Sequence, residues 1–288
     1  MKNRNLILFI TIALFQSISF CVGPESLTFP TDVQSLALSG SGVGGSYSID
    51  INPATITGND FMEKISFTHS RWFSDISGVN IRYSEFWKLP IIVDLTNWES
   101  GDIGEWGDVP QDDPIGTISL HWVSAGLTTG FQKNDWNFGL RLKGHFGRMV
   151  IESITGYTFD FGVQRSYSNV LSAGMAIKNL GSFTSGELEV VSPTSYAFGI
   201  KYQEPVAGIN LLADIVHEKS HEAFLRIGIE RSFKNITIMS GMIFSNQKHQ
   251  YSFGTEYNVG KWNVGYGIAF HENSILGTPQ FFTIGRSF

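Results

Sequence analysis

Along most of this chain apolar and polar side chains alternate with a period of two, and that pattern commits the chain to β-strands. Trp136, Phe138, Leu140 and Leu142 interleave with Asn137, Gly139, Arg141 and Lys143. Tyr157, Phe159, Phe161 and Val163 interleave with Thr158, Asp160, Gly162 and Gln164. The alternation recurs from Leu171 to Lys178, from Ser195 to Tyr202 and from Trp262 to Phe270. Successive side chains of a strand point to opposite faces, so each segment has one apolar face and one polar or small face.

A soluble sandwich would turn the apolar faces inward, and a transmembrane barrel would turn them outward to lipid. Three features favour the barrel. Aromatics begin or end most of the apolar faces, as interface girdles require. Segments of about ten residues match the ~9–11 that cross a bilayer at a tilt. Only 16% of the residues are charged, while 14% are aromatic and 31 of 288 are glycine; an average soluble domain carries about 25% charged residues. The expected fold class is all-β, a transmembrane antiparallel β-barrel. Arg141, Lys143, Asp160, Lys178 and Lys201 fall on polar faces and are the lumen-facing candidates, in a lumen expected to be wet.

Connection lengths test this independently. Strands are expected near 63–73, 76–86, 89–97, 117–131, 135–146, 150–165, 169–180, 193–202, 208–217, 222–232, 235–246, 249–259, 261–271 and 279–288, about fourteen in all. Connections after even strands are tight, such as Trp87-Lys88, Phe233-Lys234 and Gly260, and the long ones (Trp98 to Gly116, Gly181 to Ser192, Glu272 to Thr278) follow odd strands. Bacterial barrels pair short periplasmic turns with long outer loops, so a periplasmic N-terminus puts every long loop outside. On the last strand Phe282, Ile284 and Phe288 share a face that Arg286 interrupts. A terminal aromatic on such a face is typical of outer-membrane barrels, so Phe288 is assigned as the assembly signal and the barrel-assembly machinery is an expected partner beside the lipid bilayer.

The N-terminus reads as an export signal. Lys2 and Arg4 precede the apolar run Leu6 to Phe15, and Ser19 and Cys21 supply small residues for cleavage, so residues 1–21 are expected to be removed. An acylated Cys21 is the competing reading, and the bulky Phe20 before it argues against it. The formal net charge is −6, with no cluster of Lys and Arg, which excludes a nucleic-acid footprint. The expected location is the outer membrane of a Gram-negative-type bacterium.

Ser35 to Ile56 reads SLALSGSGVGGSYSIDINPATI, with Gly40, Gly42, Gly44 and Gly45, then Asp50, then Asn52, Pro53 and Ala54. This stretch resembles the N-terminal signature of the PorV/PorQ family, which belongs with the FadL-like outer-membrane barrels. The Gly-x-x-x-Lys strand (Gly139 to Lys143), Asp160-Phe161-Gly162 and Lys178-Asn179-Leu180-Gly181 resemble the family as well. The acidic pair usual before Asn-Pro is reduced here to Asp50, and the chain is shorter than the secretion-associated members. The resemblance implies that residues 22–62 form a plug, or hatch, inside a barrel spanning 63–288. It further implies transport or type IX-linked protein secretion, with secreted cargo as partner. The alternatives are a FadL-like channel for small hydrophobic molecules and a structural or adhesive surface barrel. An ordinary linker is the bland reading of the N-terminal segment.

Three motifs lack the context their chemistry needs. Gly40 to Gly45 satisfies G-x-G-x-x-G, but Pro53 soon follows and no helix of useful length begins there. His217-Glu218-Lys219-Ser220-His221 satisfies H-E-x-x-H, yet strand alternation resumes at Ala223 and places the motif at a hairpin tip. The loop holding Glu99, Asp102, Glu105, Asp108, Asp112 and Asp113 offers oxygen ligands without the fixed spacing of a Ca²⁺ loop. No catalytic residue, metal site or cofactor is assigned, and a non-enzymatic protein is expected.

Overall fold

The structure, a computed structural model, describes residues 23–45, 48–57, 64–73, 75–101, 103–106, 112–118, 120–149, 152–186, 188–219, 221–245, 249–272 and 277–288. The signal segment 1–21 lies outside the described residues, as do residues 22, 46, 47 and 58–62 of the expected N-terminal segment.

The strands are β1 (Lys64–Arg71), β2 (Ser77–Phe86), β3 (Pro90–Glu99), β4 (Ile103–Glu105), β5 (Gly116–Ile118), β6 (His121–Lys133), β7 (Trp136–Met149), β8 (Glu152–Ser166) and β9 (Leu171–Ser185). There follow β10 (Leu188–Val190), β11 (Ser195–Gln203), β12 (Ile209–Glu218), β13 (Phe224–Phe233), β14 (Ile236–Phe244), β15 (His249–Val259), β16 (Trp262–His271) and β17 (Gln280–Ser287). Each neighbour pair is antiparallel, and β17 returns to β1 with Lys64 opposite Ser287, which closes the sheet. Fourteen strands make the barrel; β4 and β5 form a separate ribbon inside the connection from β3 to β6, and β10 only extends β9. Closure pairs the backbone groups of every barrel strand, the condition for crossing hydrocarbon with strands.

The apolar faces point outward. Leu140 and Leu142 are 47% and 44% exposed, whereas Arg141 and Lys143 on the other face are 5% and 7% exposed. Phe159, Phe161, Phe198, Ile200, Phe253 and Ile284 share the outer surface, and aromatics such as Trp87, Trp136, Tyr167, Trp262 and Phe288 ring its short-turn end. An apolar exterior with aromatic girdles around a polar interior is a surface built for lipid. The chain is an outer-membrane barrel of the Gram-negative type, and its short turns mark the periplasmic end.

The segment 23–57 lies inside the barrel. Asp32 starts a five-residue helix, Val33–Ala37, because its carboxylate accepts the Ser35 N–H at 2.7 Å. Ser39 (φ 51°) and Gly40 (φ 71°) turn left-handed and end it. Val33, Leu36, Ala37, Leu38, Val43, Ile51, Ala54 and Ile56 are all buried, supplying apolar contact that the polar barrel wall lacks. This changes the expectation of a wet lumen at mid-height. A side chain on Gly139 would run into Pro53, and one on Gly162 into the Asn52 carboxamide. These strand glycines are the space in which the N-terminal segment sits.

The expected loop 181–192 is partly strand. β9 continues to Ser185 and pairs with β10. Between β8 and β9 the register shifts at Phe159/Phe161. There Asn179 is left-handed (φ 57°) and its N–H is taken by Asp160 Oδ1 at 2.7 Å instead of by the ladder.

Candidate functional site

The site is built in three levels inside the barrel. At the lowest level the N-terminal segment is fixed to the wall by hydrogen bonds. Asp214 on β12 accepts the Gly42 N–H at 2.6 Å and the Val43 N–H at 3.1 Å. Asn52 donates to the Val43 carbonyl at 2.8 Å and accepts the Ala54 N–H at 3.0 Å, so it staples two turns of the segment together. Gln164 donates to the same Val43 carbonyl at 3.1 Å, and Ser172 to the Gly44 carbonyl at 2.7 Å. Gly44 lies against the backbone of Gly199 and Ile200, and Gly45 beside the stem of half-buried Lys201. The Gly40 carbonyl faces Arg226 Nη1 at 3.4 Å. Pro53 and Ala54 open the 3₁₀ turn Pro53–Thr57, seated against β6 and β7 at Gly130 and Gly139.

Above this lies a charge network. Asp50 accepts from Arg141 Nη1 at 2.9 Å and Arg82 Nη2 at 3.3 Å, and the Thr31 hydroxyl donates to its other oxygen. Arg82 also meets Asp32 at 2.9 Å, and Arg141 meets Asp94 at 2.6 Å. Lys143 reaches Asp160 at 2.7 Å and Asn179 at 2.6 Å, and Lys178 donates to the Asp50 carbonyl at 2.9 Å. Burial alone would push the Asp50 carboxyl up, but the guanidiniums of Arg82 and Arg141 outweigh it and hold it well below the usual carboxylate range. The cations Arg82, Arg141, Lys143 and Lys178 are matched in number by Asp32, Asp50, Asp94 and Asp160, so this level is close to neutral.

The outer level is a cavity of about 820 Å³ whose floor includes Asp50, Arg141, Lys143, Asp160 and Lys178. Its outer walls are aromatic. Phe29 of the N-terminal segment packs on Trp72 at 4.9 Å and edge-on to Trp98 at 5.3 Å, and Phe73 abuts Trp72 at 4.7 Å between ring centroids. Phe281 backs the group, 5.9 Å from Trp72. Leu27, Leu36, Ile51, Ile76, Phe224 and Ile243 add to the apolar lining, with His249, His271 and Glu272 toward the outer loops.

Of the lumen-facing candidates, Arg141, Lys143, Asp160 and Lys178 converge on the cavity floor, and Lys201 lies lower, against Gly45. The sequence pattern does not single out the partners Asp32, Arg82, Asp94 and Asp214, and names Asn179 only as part of the Lys178-Asn179-Leu180-Gly181 motif. Their signal is a lone polar residue between outward apolar ones, as in Ile81-Arg82-Tyr83, Val93-Asp94-Leu95 and Ala213-Asp214-Ile215. Phe288 is exposed just beyond β17, 6.3 Å from the Tyr83 ring. In the H-E-x-x-H stretch His217 points outward on β12, while Glu218 meets Arg226 and His221, each at 3.6 Å. Among the described residues no three His, Cys, Asp or Glu side chains come together as a metal site. Of the acidic loop, Glu99, Glu105, Asp112 and Asp113 are exposed, and Asp102 and Asp108 lie outside the described residues.

The fold is that of known hydrocarbon channels. The toluene transporter TodX of Pseudomonas putida aligns with a TM-score of 0.63 over 89% of this chain and 99% of its own, at 12% identity. The monoaromatic hydrocarbon channel CymD aligns with a TM-score of 0.63 over 90% of this chain and 97% of its own, at 9% identity. At such identities the likeness is one of fold alone. No protein-family model and no curated protein sequence matches the chain, so the PorV/PorQ resemblance has no further support.

Proposed function

We propose that this barrel is a non-enzymatic channel for small, neutral hydrophobic molecules, with residues 23–57 acting as its plug. The observation that carries the proposal is the cavity above that segment, walled by Phe29, Trp72, Phe73 and Trp98 and floored by the ion pairs of Asp50, Arg141, Lys143 and Asp160, with Lys178 held on the Asp50 carbonyl. A cavity of about 820 Å³ is in the range of sites that enclose a small organic molecule. An ionised solute would have to break buried pairs to find a partner, whereas an apolar ring loses nothing to the floor and gains stacking from the walls. TodX and CymD, described as a toluene transporter and a monoaromatic hydrocarbon channel, support this reading by fold. Bromobenzene diffused into crystals of the protein tests it. An anomalous bromine peak among Phe29, Trp72 and Trp98 is expected, and peaks confined to the lipid-facing surface would refute it.

A second reading, type IX-linked secretion, rests on the Ser35 to Ile56 resemblance. Co-purification of exported proteins with the barrel from its own host would favour it.

A further inference from the structure

On the last strand, Arg286 breaks the apolar row Phe282, Ile284, Phe288, and channel function gives it no task. In the structure it lies over the Trp262 ring at 5.5 Å, directly opposite Trp262 in the β16–β17 ladder. The arrangement recurs. Arg165 ends the outward row of β8, opposite Trp136, and lies 5.0 Å from the Trp136 ring and 4.9 Å from that of Tyr167. Arg231 is the last but one residue of the outward row of β13, 4.2 Å from the ring of Phe233, which ends it.

All three arginines sit on the lipid-facing side at the short-turn end, and among the described residues none forms a salt bridge. Glu204, whose carboxylate feels Arg231, is already occupied by the Ala207 and Val206 N–H groups. Exposed Lys133, Lys234 and Lys261 stand at the same turns, Lys133 sharing its turn with the exposed Asp135. A guanidinium lying on a ring is held by the π face yet keeps its N–H fork free for a bidentate anion. At this depth of the bilayer the anions at hand are the phosphates of lipid headgroups.

We infer that the periplasmic rim is a belt that binds anionic phospholipids of the inner leaflet, each arginine–aromatic pair being one headgroup seat. The inference is independent of what the lumen carries. Its outward Arg286 is then the end of the lipid face rather than a flaw in it.

The test is native mass spectrometry of the full-length barrel with phosphatidylglycerol and phosphatidylcholine of equal chains in equimolar amounts, counting only protein folded by heat-modifiable gel mobility. Wild type should retain phosphatidylglycerol preferentially. Arg165→Gln and Arg286→Gln should each lower that preference about fivefold, the worth of one basic residue at a lipid surface. Arg148→Gln, at the other rim, should leave it unchanged. If Arg165→Gln fails to fold, Arg286→Gln decides. No preference in wild type, or an equal preference in a folded Arg286→Gln variant, would overturn the belt. So would loss of the retained lipid to excess inorganic phosphate at constant ionic strength, since the seat would then select free phosphate.

Discussion

Replacing Asp50 with Asn removes one charge and almost no volume from the point where the N-terminal segment meets the barrel wall. Asp50 is the carboxylate shared by Arg82 and Arg141, at 3.3 and 2.9 Å. Removing one partner of a buried ion pair costs about 3–5 kcal/mol. Each guanidinium keeps a second carboxylate, Asp32 or Asp94, so the low end applies, about 3 kcal/mol or a little over a hundredfold. None of the barrel ladders uses Asp50, so the cost falls on the docked state of residues 23–57 and not on barrel closure. In planar bilayers the Asp50→Asn protein should therefore show the heat-modifiable mobility of wild type and an open probability raised by about two orders of magnitude. The same residue sets an acid limit. Its carboxyl, held below its ordinary 3.8, contributes stability that is complete above that value and is lost as pH falls through the lowered one. Wild type should stay closed at pH 5 and open progressively below about pH 4, a transition to which Asp50→Asn no longer contributes. An unchanged open probability in a folded Asp50→Asn barrel would refute the claim that this carboxylate holds the segment in place.

Gly162→Arg and Phe161→Arg are neighbours with different consequences. The first strikes the Asn52 carboxamide and should leave a folded barrel that leaks. The second puts a charge on the lipid face, at about 2–4 kcal/mol near the midplane, and should lower folded yield without a leak; equal leakage from both would show that the faces are misassigned. Deleting residues 23–57 should leave an assembled barrel of higher conductance, since closure satisfies the strands by themselves; unchanged conductance would make the segment a linker and leave the lumen closed by something else. Removing Phe288 should slow assembly in cells while leaving refolding from urea into detergent intact, and equal slowing of both would show a structural rather than a signalling role.

The strands were legible because a lipid-facing barrel repeats one local rule. Alternation in segments such as Tyr196 to Tyr202 fixes both strand and face, and tight turns such as Phe233-Lys234, which the structure places one residue later, fix the order. The lumen was legible only in part. Arg141 and Lys143 declare an inward face by alternation, but the Arg141–Asp50 pair spans 91 residues, and no local spacing reports it. Gly139 and Gly162 look like sites open to water until the segment that fills them is placed, because a glycine in a strand marks a close approach without naming what approaches. The aromatic cavity is assembled from Phe29, Trp72, Trp98 and Phe281, which belong to the N-terminal segment and to separated parts of the barrel. The hairpins of β1, β2 and β3 bring Trp72 to Trp98, but Phe281 joins them only through the β17–β1 closure and Phe29 only with the N-terminal segment in place.

Passage of neutral apolar solutes through the outer membrane, the proposed function, is measured as uptake by intact cells. Cells lacking their own hydrocarbon channels, with and without this protein, would be given radiolabelled toluene and, separately, benzoate at equal concentration. Faster accumulation of toluene is expected when the protein is present, with no change for benzoate, because the acidic and guanidinium groups of the cavity floor already hold one another and Lys178 is engaged by the Asp50 carbonyl. Equal toluene uptake with and without a correctly folded, membrane-inserted barrel would contradict it.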